Sequence, residues 1–190
     1  MKKTLTIALS MVLVAAIAVT GTLAFLTDES DPLVNRFTFG NTEVEIAEPK
    51  WDAALAENGV DGAMKVVPGQ TVDKDPTITV KGSEEVYVYA YVNNALAEYV
   101  TIGATGANWT AVDGLTGLYR YHETVTPDEG TGTKLQELFT QVTISNTVTE
   151  ETLAGDNPFT DGTITVQAYV HQAAEAGQTV ADTAAVEFFN

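Results

Sequence analysis

Cysteine is absent from the sequence, and positively charged side chains are scarce. Without cysteine the chain has no disulfide, no thiolate ligand for zinc, no thiol nucleophile and no site for lipid attachment to an N-terminal cysteine. Lysine and arginine together number 9, against 26 aspartates and glutamates. This imbalance argues against binding to nucleic acid or to anionic lipid, whose phosphates attract basic surfaces. The sequence therefore predicts an acidic protein that is stabilised by burial alone.

Histidine is also scarce, with one residue in "YHETV" (His122) and one at His171. A catalytic zinc site needs three protein ligands, and the helical zinc-peptidase motif places its second histidine four residues after the first. Position 126 is threonine, and the residues around it alternate as in a strand. A phosphate-binding glycine loop, a dinucleotide fingerprint and a G-x-S-x-G elbow are missing as well. We predict no catalytic residue, no metal and no cofactor.

Two acidic loops raise the question of calcium. Asp73 and Asp75 lie in "VDKDP", and Asp128 and Glu129 lie in "TPDEG". Neither loop has the spacing of the helix–loop–helix calcium site. Clustered charges are usually solvated faces, so we interpret both loops as solvated surface.

The first residues have the order of a secretion signal peptide. Lys2 and Lys3 precede an apolar run over residues 5–19, and small residues follow that run. A basic start, an apolar core and a small-residue cleavage site are the three parts of such a peptide. The alternative is an uncleaved anchor, because the uncharged stretch is long enough to cross a bilayer. We predict a signal peptide over residues 1–24.

The predicted cleavage site lies between Ala24 and Phe25. Thr22 and Ala24 are the small residues at the two positions that signal peptidase reads. Removal of Lys2 and Lys3 with the signal would change the formal net charge from −17 to −19. The mature protein would be a single domain over residues 25–190, and the cleaved signal peptide predicts that it is secreted. Its contact with the membrane would be limited to the uncleaved signal.

Alternation of apolar and polar residues dominates the rest of the chain. "VYVYAYV" over residues 86–92 places valine and alanine on one face and tyrosine on the other, as in a strand covered on both sides. We predict further strands in "TITV" (77–80), "GLYRYHETV" (117–125), "QVTISNTV" (141–148), "TITVQAYV" (163–170) and "AAVEFF" (184–189). Short helices are predicted in "PKWDAALAEN" (49–58) and "TKLQELF" (133–139).

Short strands separated by turn residues predict the fold class. Gly, Pro, Asn and Asp mark the turns between them. We predict an all-β protein, a jelly-roll-like antiparallel β-sandwich with one or two short helices, preceded by the cleaved signal helix. In "NRFTFGNTEVEI" the apolar phase changes between Phe37–Phe39 and Val44–Ile46. Either a bulge or a simple turn at Gly40–Asn41 would account for this change.

Three stretches, in this order, resemble the TasA/camelysin family of secreted Gram-positive proteins. They are "GTLAFLTDE…NRFTFGNTEVEI", "VVPGQTVDKDPTITVKGSEEVYVYAYV" and "GLYRYHETVTPDEGTGTKLQELFTQVTI". The resemblance implies export with a signal peptide cut by a dedicated, ER-type signal peptidase and a jelly-roll sandwich. It also implies assembly into biofilm-matrix fibres, in which the N-terminal segment of one subunit completes the sheet of the next. The expected location is therefore the extracellular matrix or the cell surface. The expected partners are the signal peptidase and other subunits, either copies of this chain or homologues.

Under this resemblance, residues 25–35 form a donor segment freed by cleavage. Its main chain would pair with an open sheet edge, and apolar side chains would fill pockets. The expected assembly residues are Phe25, Leu26, Leu33, Val34, Phe37 and Phe39. Residues 36–46 are expected to pair within the subunit itself. Whether the chain forms the filament or is an accessory subunit is left open.

Two other functions remain as alternatives. Some relatives carry a metallopeptidase label, which this sequence does not support with a zinc motif. A monomeric surface module is the other, with an exposed aromatic platform of Tyr87, Tyr89, Tyr91, Tyr119 and Tyr121 as its ligand site. Tyrosines at strand spacing are more often packed between sheets than exposed, and we predict that these are packed between sheets.

Overall fold

The strands form where apolar residues alternate, and the turns form at glycine, proline and asparagine. The computed structural model describes residues 42–60, 63–64, 66–128, 130–149, 152, 159, 162–174 and 177–190. Within these residues lie helices α1 (Pro49–Asn58) and α2 (Gln178–Phe189). The strands are β1 (Thr42–Ala47), β2 (Gly59–Val60), β3 (Ala63–Met64), β4 (Thr71–Asp73), β5 (Thr77–Gly82), β6 (Val86–Asn94), β7 (Val100–Ile102), β8 (Trp109–Ala111), β9 (Leu118–Tyr121), β10 (Thr133–Lys134), β11 (Gln141–Ile144) and β12 (Ile164–Gln172).

The sheets form two layers of antiparallel strands. One layer has the order β12-β6-β9-β8. The other consists of β1-β5-β10 and β4-β11-β7. Because β4 and β5 follow one another along residues 71–82, and β10 and β11 along residues 133–144, these two sheets continue one another. From one edge to the other, the second layer therefore consists of β1, then β4 with β5, then β10 with β11, and finally β7.

The order of strands around the sandwich is that of a jelly roll. From β12 it runs through β6, β9 and β8 to β7, then through β10/β11 and β4/β5 to β1, which lies against β12. The predicted all-β class and antiparallel sandwich are confirmed. Phe39–Asn190 make up one compact unit, which contains both hydrophobic clusters described next.

The alternation in β6 separates two hydrophobic clusters, as the sequence predicts. Val86, Val88, Ala90 and Val92 lie in the main core between the layers. Tyr89, on the opposite face, is fully buried beneath helix α2 with Leu118 and Val112. Strand β12 repeats this arrangement, with Ile164, Val166, Ala168 and Val170 against the main core and Tyr169 under α2.

Two predicted elements are wrong. "AAVEFF" is the end of helix α2 and not a strand. Ala181 and Ala185, one helical turn apart, are both fully buried, because their small side chains let the helix lie close to the tyrosine face of β6. "TKLQELF" is not a helix either. Thr133–Lys134 pair with β5, and the N–H of Leu135 and of Leu138 then donate to the carbonyls of Ile78 and Pro76.

Helix α2 is fixed to the sheet by a partly buried charged network. Nη1 of Arg120, on β9, donates to both carboxylate oxygens of Asp182 at 2.8 and 2.7 Å. The hydroxyl of Tyr89 donates to Asp182 Oδ1 at 2.8 Å. Burial, reinforced by the hydrogen bond to Asp182, raises the pKa of Tyr89 above its ordinary value. Tyr89 is thus a neutral donor that holds the helix in place.

Candidate functional site

Strand β4 is an edge of its sheet. It pairs with β11 on one side (Val72 with Val142), and it is the terminal strand of the order β4-β11-β7 among the described strands. β1 pairs along β5, where its register ends with Ala47 opposite Thr77, before β4 is reached. The segment 71–82 therefore has a paired neighbour along β5 and an unpaired edge along the three residues of β4. An unpaired edge offers N–H and C=O groups to a further strand.

An apolar cavity of about 670 Å³ lies behind this edge. Its walls come from β4, β7 and β11 of one layer and from the start of β12 in the other. Trp51 of α1 contributes an aromatic wall. The other apolar lining residues are Val66, Val67, Pro68, Val72, Leu96, Val100, Val142, Ile144, Val148, Phe159 and Ile164. The volume is that of sites that bind small molecules or several side chains of a peptide.

One ion pair borders the cavity. Nζ of Lys74 donates to Glu48 Oε2 at 2.6 Å, with both side chains mostly buried. The same Nζ lies 4.5 Å from the centre of the Trp51 ring, within the range of a cation–π contact. Lys74 therefore ties the segment after β4 to both the start and the first turn of α1.

A polar recess adjoins the cavity at this ion pair. Glu48, Lys74 and Ile164 line both spaces, and the recess of about 270 Å³ is completed by Ile46, Ala47, Asp52 and Val166. Asp52 is exposed, and its carboxylate has no hydrogen-bond or ion-pair partner among the described residues. Of the charged side chains that line the recess, two are carboxylates and one is an ammonium.

Asp75 positions α1 beside the cavity. Its carboxylate accepts hydrogen bonds from the backbone N–H of Lys50 at 2.9 Å and of Trp51 at 3.3 Å, at the helix N-terminus. Asp75 is 2% exposed, so our interpretation of this residue as solvated surface is wrong. It acts as a helix cap supplied from a distant part of the chain, and the local pattern "VDKDP" gave no indication of that partner.

Replacement of Asp75 by alanine is expected to lower the free energy of unfolding by about 1–3 kcal/mol, through the lost cap and the partly buried N–H groups left unpaired. Urea unfolding followed by circular dichroism measures this change. The matched control is Asp73→Ala two residues earlier. Asp73 is exposed, so its replacement should change the free energy by less than about 0.5 kcal/mol. Equal effects of the two substitutions would contradict a capping role for Asp75.

The predicted cleavage and assembly residues all lie outside the described residues. These are Thr22, Ala24, Phe25, Leu26, Leu33, Val34, Phe37 and Phe39, and the predicted bulge or turn at Gly40–Asn41 lies outside them as well. Of the strand expected over residues 36–46, the structure describes residues 42–46. They belong to β1, which pairs with β5. Among the described helices, none is both long and apolar enough to cross a membrane.

The tyrosines are packed, as predicted, and they form no exposed platform, but three of the five lie under helix α2 and not between the sheets. Tyr89 is fully buried, and Tyr87 and Tyr91 are half-buried beneath α2. Tyr119 and Tyr121 are half-buried on the other face of their sheet, against the main core. Aromatic rings also contact one another, as Trp109 and Tyr121 do edge to face with 5.2 Å between ring centres.

The histidines are separate from the cavity. His122 is exposed, and its Nε2 lies 3.3 Å from Oε1 of Glu123. His171 Nδ1 lies 2.9 Å from the hydroxyl of Tyr169 on β12. Within the part of the chain that the structure describes, no three histidine, aspartate or glutamate side chains group together as metal ligands would. Asp128 is exposed, and Glu129 lies outside the described residues.

Of the strands around this site, the apolar alternation predicted β11 and β12, but it predicted neither β4 nor β7, and it did not predict the site itself. The cavity is formed by residues from several separate stretches of the chain. Their apolar character predicts that they are buried, but it does not predict that they surround a cavity. Compared with known protein families and characterised proteins, the chain matches no family model and no curated protein.

Proposed function

We propose that this chain is a secreted structural protein of the extracellular matrix that forms fibres, or joins them, by strand exchange. In this proposal the N-terminal segment of one subunit, residues 25–35, adds to the β4 edge of the next. The resemblance to the TasA/camelysin family supports the proposal, as does the jelly-roll order of the strands.

The observation that carries the proposal is the unpaired edge of β4 beside an apolar cavity. Strand addition needs free main-chain groups for affinity and pockets for alternate side chains. β4 supplies the edge, and Val72, its buried central residue, lines the cavity. An incoming strand beside β4 would therefore have its inward side chains over the apolar space.

The donor segment has side chains that suit such a cavity. Phe25, Leu26, Leu33 and Val34 are apolar and lie in the predicted segment. Each such side chain that is fully buried contributes about 1.5–3 kcal/mol before the cost of ordering the segment. Because the donor and the acceptor edge are different parts of the subunit, the contact is head-to-tail and propagates into a fibre unless it closes into a ring.

The test compares the mature chain, residues 25–190, with a chain that begins at Arg36. Both retain the compact unit Phe39–Asn190. We expect fibres from the longer chain alone, because the shorter one lacks the donor segment. Light scattering and negative-stain microscopy measure assembly. Assembly should increase with salt, since screening reduces the repulsion between subunits of net charge −19, the value obtained from −17 once Lys2 and Lys3 are removed.

Two folded monomers that never assemble, at any salt concentration, would contradict the proposal. They would favour a second function, a monomeric module that binds an apolar ligand, which the cavity of about 670 Å³ supports by its size. Fibres from both chains would also contradict it, because assembly would then be independent of residues 25–35.

A further inference from the structure

The charged groups at the apolar cavity are paired with each other. Of the described residues that line the cavity, Glu48 and Lys74 are the two charged ones, and the Lys74 ammonium donates to Glu48 Oε2 at 2.6 Å. The same ammonium lies 4.5 Å from the centre of the Trp51 ring. The charges of the lining therefore sum to zero, and each has its counter-charge within the protein.

The rest of the lining offers little to a polar ligand. It is apolar apart from Gly162 and Thr163. Among the described residues, no buried side-chain nitrogen or oxygen lacks a hydrogen-bond partner, so no such atom requires a polar ligand. Water in an apolar cavity finds few hydrogen-bond partners, and such cavities bind apolar molecules instead. With a volume of about 670 Å³, the cavity also has the size of a small-molecule site.

The charge distribution disfavours ionised ligands, and anions most of all. The carboxylate of a fatty acid would need a cation, and Lys74 is bonded to Glu48. A cationic head group would find Glu48 bonded in the same way. Burial of an ion without a partner is costly. A negative group left at the mouth of the cavity would face a chain of formal net charge −17. An uncharged molecule avoids both costs.

We propose that the cavity binds one uncharged apolar molecule and that the bound molecule competes with strand addition at β4. The second part of this inference rests on the proposed function and adds to it a means by which a small molecule controls assembly. Val72 links the two events, because it is the central residue of β4 and lines the cavity. A molecule in the cavity takes the space that the inward side chains of an added strand need, so each weakens binding of the other.

The experiment compares two fluorescent probes that share their ring system and differ in charge. N-phenyl-1-naphthylamine is uncharged, and 8-anilinonaphthalene-1-sulfonate has the same rings with an added sulfonate. The emission of both rises in apolar surroundings. Each is titrated into the mature chain, residues 25–190, at low ionic strength, where repulsion between the acidic subunits opposes assembly.

The uncharged probe is expected to bind saturably, with one molecule per chain. In the variant Val72→Phe its affinity should fall at least about fivefold, because the new ring occupies part of the cavity. Val180→Phe adds the same atoms at an exposed position on α2 that does not line the cavity. This control should leave the affinity unchanged. Equal affinities for the two variants would place the probe at another apolar surface and overturn the inference.

The substitution Glu48→Gln tests the role of charge. It removes the carboxylate that compensates Lys74, so the ammonium becomes available to the sulfonate. The affinity of the uncharged probe divided by that of the sulfonate should therefore fall at least about threefold. Glu57→Gln is the matched control, because it removes the same charge from an exposed position on α1 that does not line the cavity. Equal ratios in the two variants would overturn the selection against anions.

Competition with assembly is measured on the same chain at higher salt. At a free concentration of the uncharged probe equal to twice its dissociation constant, mass action raises the minimum protein concentration for fibres about threefold. Light scattering across a series of protein concentrations gives this value with and without the probe.

The remaining outcomes separate this inference from the proposed function. Absence of saturable binding, with fibres still formed by the mature chain, would overturn the ligand site and leave strand exchange in place. Binding without any effect on fibres would overturn the competition at β4. Binding by a chain that never forms fibres would overturn the proposed function and the competition, and would support the ligand site alone.

Discussion

Replacement of Asp182 by alanine is expected to lower the free energy of unfolding by about 3–5 kcal/mol, the range found when one partner of a buried ion pair is removed. Asp182 accepts from Arg120 Nη1 through both carboxylate oxygens and from the hydroxyl of Tyr89. The side chains of Arg120 and Asp182 are 13% and 24% exposed. The substitution would leave a largely buried guanidinium and a fully buried hydroxyl without their shared acceptor.

Urea unfolding of the variant measures this loss, and Glu187→Ala is the matched control. Glu187 is an exposed acidic residue on the same helix, and its replacement should change the free energy by less than about 0.5 kcal/mol. A second measurement is the absorbance of tyrosinate as pH is raised. The pKa of Tyr89 should fall in the Asp182 variant for two reasons. The carboxylate that accepts a hydrogen bond from the protonated phenol is absent, and a loosened helix α2 would leave the phenol less buried. A loss no larger than that of Glu187→Ala would show that the network does not hold α2 on the sheet.

The sequence was sufficient to predict the fold where period-two alternation is strong. In β6 and β12 valine and alanine face the main core while tyrosine lies under α2, as the alternation requires. It was insufficient where spacing is ambiguous. Leu135, Leu138 and Phe139 have helical spacing, yet all three reach the core from an irregular extended segment that bonds to residues 76–78. In "AAVEFF" the apolar residues are compatible with a strand. The segment is helical because a helix places Ala181 and Ala185, one turn apart, on the same buried face.

The candidate site was beyond sequence analysis for a different reason. Asp75 and Lys74 are neighbours in "VDKDP", and the pattern of charges there suggested a solvated loop. Both are buried, because α1 brings its N-terminus to Asp75 and Glu48 to Lys74. These contacts join residues about 25 positions apart, and no local pattern specifies which acid will meet which partner. The unpaired edge of β4 likewise follows from where β1 ends its register along β5.

Replacement of Val72 by phenylalanine is expected to abolish fibre assembly by the mature chain while the subunit stays folded. Val72 is the buried central residue of β4, and its side chain lines the cavity. A phenyl ring there would occupy space that the proposed donor side chains need. A loss of about 1.4 kcal/mol in the binding free energy between subunits weakens the contact tenfold. This loss is enough to suppress assembly at concentrations just above the minimum that fibre formation requires. Light scattering at fixed salt measures the effect.

The stability of the same variant decides how this result is interpreted. Overpacking a filled core costs about 1–3 kcal/mol, but a cavity of about 670 Å³ has room for the ring. We therefore expect the free energy of unfolding to change by less than about 1 kcal/mol, since the ring enters existing space. Val180→Phe is the control. It adds the same atoms at a 58% exposed position on α2, away from the cavity, and should leave assembly unchanged. Fibres from Val72→Phe at the rate of the unaltered chain would place the docking surface elsewhere on the subunit, because a strand added at β4 would have its inward side chains next to the new ring.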